Sequence, residues 1–134
     1  MLNLDSDFIR LFPKCDFRLK PFQKQVIENV VNNGNTLCIM PTGGGKSAIY
    51  WMSAAELQGI TIVVSPLIAL IAEQAEKLAE QGYDVLELHG DINAKKQMEI
   101  LTKLANHEIT PDYIFASPEK IATDGFFEYC LKRR

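Results

Sequence analysis

The stretch that decides the fold is Met40–Ser47, with the one-letter sequence MPTGGGKS. An apolar run, residues 36–40, leads into it, and a segment with helical periodicity, Lys46–Gln58, follows it. Consecutive glycines lack Cβ atoms, so the backbone can curl and its N–H groups can approach an anion closely. The following helix adds its unpaired N-terminal N–H groups and the positive end of its dipole. This stretch therefore predicts a loop that holds phosphate groups.

Two side chains at the end of this loop suit the phosphates of a nucleotide. Lys46 places a positive charge near the β- and γ-phosphates, and the Ser47 hydroxyl is a suitable ligand for Mg²⁺. The strict pattern G-x-x-x-x-G-K-[ST] is not met, because Met40 stands at the first glycine position. The alternative, an incidental glycine-rich turn, is disfavoured by the strand expected before it and the helix expected after it. The residues expected to bind the nucleotide here are Thr42, Gly43, Gly44, Gly45, Lys46 and Ser47.

Apolar runs alternate with helical segments along the chain, which predicts an α/β fold with a parallel sheet covered by helices on both faces. The predicted strands are Thr36–Met40, Ile60–Ser65, Asp84–Leu88 and a strand within Pro111–Ala116. The predicted helices are Pro21–Val31, Lys46–Gln58, Leu67–Gln81, Asn93–Asn106 and a final segment that runs to the terminus. Residues 1–35 are therefore interpreted as a helical N-terminal segment, and residues 36–134 as the α/β domain.

Composition limits the function only weakly. The chain has 134 residues and a formal net charge of -3. Its composition therefore lacks the excess of basic charge that would indicate nucleic-acid binding. A local patch can still bind phosphates on an acidic protein. The three cysteines lack metal or redox spacings, and their odd number favours a reducing compartment; Cys38 is expected in the core. The N-terminal residues predict neither a signal peptide nor a membrane anchor.

Four stretches, in order, resemble the motifs of RecQ-family DNA helicases of superfamily 2. Residues 41–47 resemble motif I, and Leu19–Ile27 (LKPFQKQVI) resembles the upstream motif whose glutamine reads adenine. Val63–Gln74 (VVSPLIALIAEQ) resembles motif Ia, and Tyr113–Ile121 (YIFASPEKI) resembles the APER segment. The resemblance runs from about Phe17 onward. It implies a RecA-like, P-loop motor lobe that binds ATP, Mg²⁺ and single-stranded or partly duplex DNA, in a helicase that moves 3′ to 5′.

The resemblance also implies roles for residues around the base of the nucleotide. Gln23 would hydrogen-bond the adenine edge, because a carboxamide both donates and accepts; the alternative is an ordinary glutamine on a helix surface. Lys20 stands where the family usually has an arginine beside the adenine. Asp16 replaces the family's stacking aromatic residue, and the adjacent Phe17 is a candidate substitute.

Two serine–proline pairs follow predicted strands and, by the same resemblance, would contact a DNA strand through its phosphates. Motif Ia implies such contacts for Ser65, Pro66 and Leu67, and Ser117 with Pro118 repeats the arrangement. Each pair also fits an ordinary helix start, with serine as N-cap and proline at the first helical position. Both interpretations can hold, because a capped helix N-terminus is itself an anion site. His89, without a metal-ligating partner, is expected to be a polar loop histidine.

The family's D-E-x-H motif, whose acids anchor Mg²⁺ and orient the attacking water, does not occur in this sequence. We therefore expect an N-terminal fragment of a helicase, without the second motor lobe, that binds Mg-ATP but hydrolyses and unwinds poorly alone. The missing strand would leave an open sheet edge, which favours self-association. The alternatives are a stand-alone nucleotide-binding or regulatory module that needs a partner subunit, and a different P-loop enzyme such as a small kinase. The expected location is intracellular, cytoplasmic in a prokaryote and nuclear in a eukaryote.

Overall fold

The computed structural model describes residues 3–40, 45–57, 59–90 and 92–122. The chain divides into two units, residues 1–59 and 60–134. In the described ranges the helices are α1 (Leu4–Leu11), α2 (Pro21–Asn33), α3 (Lys46–Leu57), α4 (Ile68–Glu80), α5 (Ala94–Ala105) and α6 (Pro118–Ile121). The strands are β1 (Thr61–Val64), β2 (Val85–Leu88) and β3 (Tyr113–Ala116).

The first unit is built from α1, α2 and α3. α2 begins at Pro21, as predicted, because a first helical residue needs no N–H for the helix ladder. It ends before Gly34, whose φ of 86° is easily adopted by glycine. Aromatic rings connect α1 to α3: Phe12 stacks on Trp51 with ring centroids 5.5 Å apart, and Phe8 lies 5.6 Å from Phe12. All three rings are buried, so they form the core of this unit.

The second unit is a parallel sheet with helices on both faces, which confirms the predicted α/β class. The strand order is β1-β3-β2, and β3 pairs in parallel with both neighbours. Ile114 of β3 belongs to a buried cluster with Leu101 and Leu104 of α5. Side chains alternate along a strand, so Tyr113 and Phe115 point to the opposite face, where α4 packs on the sheet. β3 is therefore buried along its whole length.

The predicted helices agree with the structure to within a few residues. α5 begins after Asn93, whose side chain accepts a hydrogen bond from the backbone N–H of Lys95 at 2.8 Å and so caps the helix as expected. The end of the predicted third helix at Gln58, and everything after α6 in the predicted final helix, lie outside the described residues. None of the helices in the described ranges has both the length and the apolar character that crossing a membrane requires.

The predicted strand Thr36–Met40 is wrong. The structure has no strand over these residues, Leu37 is 87% exposed and Ile39 is 84% exposed. Cys38, expected in the core, is only partly buried. A strand is stable only when a neighbour satisfies its N–H and C=O groups. In the described ranges, the strands that pair with one another all belong to the second unit, whereas these residues belong to the first.

Candidate functional site

The glycine loop ends at Gly45, which leads directly into α3. Gly45 has a φ of 85°, a conformation that costs glycine little and other residues more. A Cβ at this position would also collide with Nε2 of Gln23. The backbone conformation therefore favours glycine at this position, and a Cβ there would also force the Gln23 amide to shift. The predicted phosphate-binding residues Thr42, Gly43 and Gly44 lie outside the described residues.

Gln23 connects α2 to the end of this loop. Its Oε1 accepts a hydrogen bond from the backbone N–H of Lys20 at 2.7 Å, and its Nε2 donates to the carbonyl of Gly45 at 2.9 Å. The side chain is only 3% exposed, so the interpretation as a surface glutamine is wrong. One carboxamide thus caps α2 and fixes the residue before α3. An amide has two donor hydrogens and two acceptor lone pairs, so it has capacity for one further bond of each kind.

Lys46 and Ser47 open α3, where the backbone N–H groups of a helix lack intrahelical partners. The Lys46 side chain is exposed and Ser47 is partly exposed. No acidic residue occupies the first turn of α3. The lysine charge and the positive end of the helix dipole therefore act together on any anion at this end of the helix.

The Ser47 hydroxyl fits a single-ligand role toward Mg²⁺. In the part of the chain that the structure describes, no group of three His, Cys, Asp or Glu side chains could hold a metal ion. Mg²⁺ usually keeps several waters and binds through few protein ligands together with substrate phosphates. The residues present fit an ion held mainly by phosphate and water, with Ser47 as a protein ligand.

Phe17 precedes Gln23 by a few residues in the sequence, and part of its aromatic ring is exposed. It is 44% exposed, and its ring centroid lies 5.5 Å from that of Phe8, which is only 1% exposed. One part of the Phe17 ring is therefore supported by a fixed neighbour while another part meets solvent. Asp16 and Lys20, its neighbours in the sequence, have exposed side chains.

The segments that follow the three strands meet at one edge of the sheet. The strands end in register, so Ser65, Ser117 and His89 follow at neighbouring positions. The backbone N–H of Ser65 donates to the carbonyl of Ala116 at 3.1 Å, and that of Ser117 donates to the carbonyl of Leu88 at 3.2 Å. This is the carboxyl edge of a parallel sheet, where ligands of such sheets bind.

The two serine–proline pairs differ at this edge. Ser117 is the N-cap of α6 and Pro118 its first residue, as predicted. Ser65 is not an N-cap, because α4 begins only after Leu67, which holds that position. The Ser65 Oγ instead accepts from the backbone N–H of Leu67 at 3.2 Å, and it keeps its own proton for donation. Ser117 is buried, whereas Pro66, Pro118 and Leu67 are exposed.

Gln97 fixes the segment after β2 through hydrogen bonds that were not predicted from the sequence. Its Nε2 donates to the carbonyls of His89 at 2.9 Å and Ile92 at 2.6 Å, and the side chain is 6% exposed. His89 lies in the segment after β2, as expected of a polar loop histidine, and it is buried there, 4% exposed and 3.2 Å from Oε1 of Glu87. The available signal was spacing: Gln97 stands four residues before buried Leu101 on the same helix face.

A glycine-rich sequence that leads into a helix, in a chain with a parallel α/β sheet, is typical of P-loop proteins. The family model for DEAD/DEAH box helicases matches residues 20–132. The chain belongs to this family. Its similarity to RecQ-type members confirms the resemblance drawn from the four motifs.

Three relatives illustrate that similarity. A RecQ-like DNA helicase of Caenorhabditis elegans, blm-1, is 38% identical over 77% of this chain. The ATP-dependent DNA helicase RecQ of Haemophilus influenzae is 33% identical over 79%, and the ATP-dependent DNA helicase Q-like 4B of Arabidopsis thaliana is 33% identical over 90%. The chain spans 10%, 17% and 10% of the lengths of these relatives, respectively.

Proposed function

We propose that this chain provides the ATP-binding site and part of the single-strand DNA-binding edge of an ATP-dependent helicase motor that moves 3′ to 5′. The observation that carries the proposal is the Gln23–Gly45 contact, which fixes the end of the glycine loop at the start of α3. The names of relatives in the family, ATP-dependent DNA helicases, support the choice of nucleotide and substrate.

The phosphates of ATP bind at the first turn of α3. Lys46 interacts with the β- and γ-phosphates, and Ser47 supplies one oxygen ligand to Mg²⁺. When bound, Mg²⁺ neutralises part of the phosphate charge. Thr42, Gly43 and Gly44 complete the loop with backbone N–H groups.

A charge deletion tests this assignment. Lys46→Ala removes a positive charge from a polyanion site, a change that costs about 2–5 kcal/mol when the partner charge is desolvated. We expect MgATP affinity to fall about 30-fold or more, measured by isothermal titration calorimetry. Lys24→Ala is the matched control, because Lys24 pairs with Asp5 at 3.0 Å on the surface of α1 and α2. Unchanged affinity in Lys46→Ala would falsify the assignment.

The adenine base binds beside Gln23 and Phe17. The Gln23 carboxamide uses its remaining donor and acceptor on the adenine edge, and the half-exposed Phe17 ring stacks on the base. Lys20 adds a cation without the planar guanidinium that an arginine offers. ATP should shift the NMR signals of the Phe17 ring, whereas tripolyphosphate should leave them unchanged. Equal shifts with both ligands would contradict a role in base binding.

The DNA strand lies along the carboxyl edge of the sheet, where Ser65, Pro66 and Leu67 follow β1 and Ser117 and Pro118 follow β3. The Ser65 hydroxyl can donate to a phosphate oxygen, and such contacts position a strand without reading its sequence. A single-stranded oligonucleotide should therefore perturb the amides after β1 and β3, regardless of its sequence. Perturbations confined to other segments would contradict this path.

Turnover and unwinding need groups beyond those of this chain. Acids that anchor Mg²⁺ and a second motor lobe would supply these groups, because phosphoryl transfer depends on positioned charges around the γ-phosphate.

The second candidate function is a module that pairs with a partner subunit or a second copy. It is favoured by β1, whose outer edge pairs with no strand in the described residues and whose Val64 is 49% exposed.

A further inference from the structure

The segment after β2 is held in place by a buried side chain of α5. Within the segment, the backbone N–H of Ile92 donates to the carbonyl of His89 at 3.0 Å. Nε2 of Gln97 donates to the same carbonyl at 2.9 Å and to the carbonyl of Ile92 at 2.6 Å. Both amide hydrogens of Gln97 are therefore used on the backbone of this one segment.

Packing alone does not account for a glutamine at position 97. The side chain is 6% exposed, and its Oε1 is shielded from water without a hydrogen-bond partner in the part of the chain that the structure describes. A buried polar atom without a partner costs free energy that an apolar side chain of similar shape avoids. What the carboxamide supplies at this position is therefore the pair of hydrogen bonds to the segment after β2.

These two bonds determine which polar groups the segment turns outward. The peptide bond is planar and trans, so the C=O and the N–H of one peptide unit point in opposite directions. The carbonyls of His89 and Ile92 point toward the buried amide of Gln97. The N–H groups of Gly90 and Asn93, which belong to the same two peptide units, consequently point away from it. Both residues are exposed, and within the described ranges neither N–H has a backbone acceptor.

The segment lies at the carboxyl edge of the sheet, beside a segment assigned above to the DNA strand. Leu88, the last residue of β2, accepts a hydrogen bond from the backbone N–H of Ser117 at 3.2 Å. On the other side, the first turn of α5 carries the exposed Lys95 and Lys96 and no acidic residue. Positive side chains are unfavourable at the positive end of a helix dipole, and a nearby anion relieves that repulsion.

We propose that Gln97 is a positioning residue for DNA, which turns the N–H groups of Gly90 and Asn93 toward a phosphate of the strand at the carboxyl edge. The inference rests on the proposed DNA-binding function and adds a third segment to those after β1 and β3. Without the bonds from Gln97, the peptide units can rotate and bring their carbonyl oxygens, which repel a phosphate, to the surface. Asp91 lies outside the described residues, and the two lysines exceed its single negative charge.

Gln97→Met tests this role, because methionine has a similar length but donates no hydrogen bond. We expect the affinity for a single-stranded oligothymidylate, measured by fluorescence anisotropy, to fall about tenfold, since hydrogen bonds to a charged group are lost. Leu101→Val is the matched control, because it removes apolar packing from the same helix and leaves the bonds from Gln97 in place. With β3 amide exchange confirming that both variants are folded, Leu101→Val should bind as the original chain does. Equal affinity in Gln97→Met and the original chain would overturn the proposal.

An NMR titration distinguishes positioning from a simple loss of stability. Added oligothymidylate should shift the amide signals of Gly90 and Asn93 in the original chain and in Leu101→Val. In Gln97→Met these two shifts should be lost, whereas the amides after β1 and β3 should still respond. If only the amides after β1 and β3 respond in the original chain, the role of Gln97 is refuted and the proposed function stands. If no amide at the carboxyl edge responds, both are refuted.

Discussion

Thr36–Met40 and Thr61–Val64 are both short apolar stretches, yet they end in opposite environments. Thr61–Val64 forms β1 and pairs residue by residue with β3. Thr36–Met40 forms no strand and leaves Leu37 and Ile39 in solvent. Apolar, β-branched composition therefore does not determine a strand by itself. The deciding factor is a neighbouring strand that accepts and donates the ladder hydrogen bonds.

The largest expected effect on stability comes from a substitution in β3, the strand that pairs with β1. Ile114 of β3 is 1% exposed and packs in the cluster with α5. Ile114→Ala should lower the free energy of unfolding of the second unit by about 3 kcal/mol, through lost apolar burial and the cavity left behind. Hydrogen exchange of the β3 amides measures that unit separately.

Ile39→Ala is the matched substitution in the unpaired stretch Thr36–Met40. Because Ile39 is already 84% exposed, its truncation should change stability by less than about 0.5 kcal/mol. Trp51, the chain's single tryptophan, lies in the first unit and reports its unfolding by fluorescence. A loss in Ile39→Ala as large as that in Ile114→Ala would mean that Thr36–Met40 is buried and paired after all.

An intermediate effect is expected at the end of the glycine loop. Gly45→Ala adds a strained positive φ, costing about 1 kcal/mol, and displaces the Gln23 amide, costing about 1 kcal/mol more. Urea unfolding followed by Trp51 fluorescence measures the sum, and MgATP affinity should fall in parallel.

Gly34→Ala separates the two causes of that loss. Gly34 has nearly the same φ, 86°, but a Cβ there would meet nothing within 4 Å. It should therefore show only the cost of backbone strain. Equal destabilisation in Gly45→Ala and Gly34→Ala would show that the contact with Gln23 contributes nothing.

The smallest expected effect on stability concerns the free side of β1. Val64→Lys places a charge on an exposed edge-strand position and should change the free energy of unfolding by less than about 0.5 kcal/mol. It should nevertheless reduce self-association, because charged residues on an edge strand oppose pairing with a second copy. Sedimentation velocity at high concentration measures this, with Met98→Lys at an exposed position of α5 as the control. A sharply monomeric original chain would refute association through this edge.

Local signals in the sequence were sufficient for the helices and for the sheet of the second unit. Pro21, Asn93 and the Ser117–Pro118 pair mark helix starts through chemistry that acts within a few residues. Ser65–Pro66 carries the same local signal, yet α4 begins later. Its hydroxyl bonds the backbone within a turn instead, an alternative that local chemistry leaves equally open.

Contacts between residues that lie far apart in the sequence could not be predicted from it. The Gln23–Gly45 hydrogen bond spans 22 residues, and the Phe12–Trp51 stack joins the end of α1 to α3. The motif resemblance indicated that Gln23 matters, but not that its amide holds the glycine loop.

The most direct test of the central claim is to map MgATP binding on the isotopically labelled chain by NMR. The account predicts that ATP shifts the Gln23 side-chain amide, the Phe17 ring and the backbone amides of Gly45, Lys46 and Ser47. Tripolyphosphate should shift only the signals of Gly45–Ser47 and the Gln23 amide that contacts Gly45. Binding that leaves these signals unchanged, or no binding at all, would contradict a nucleotide site at the start of α3.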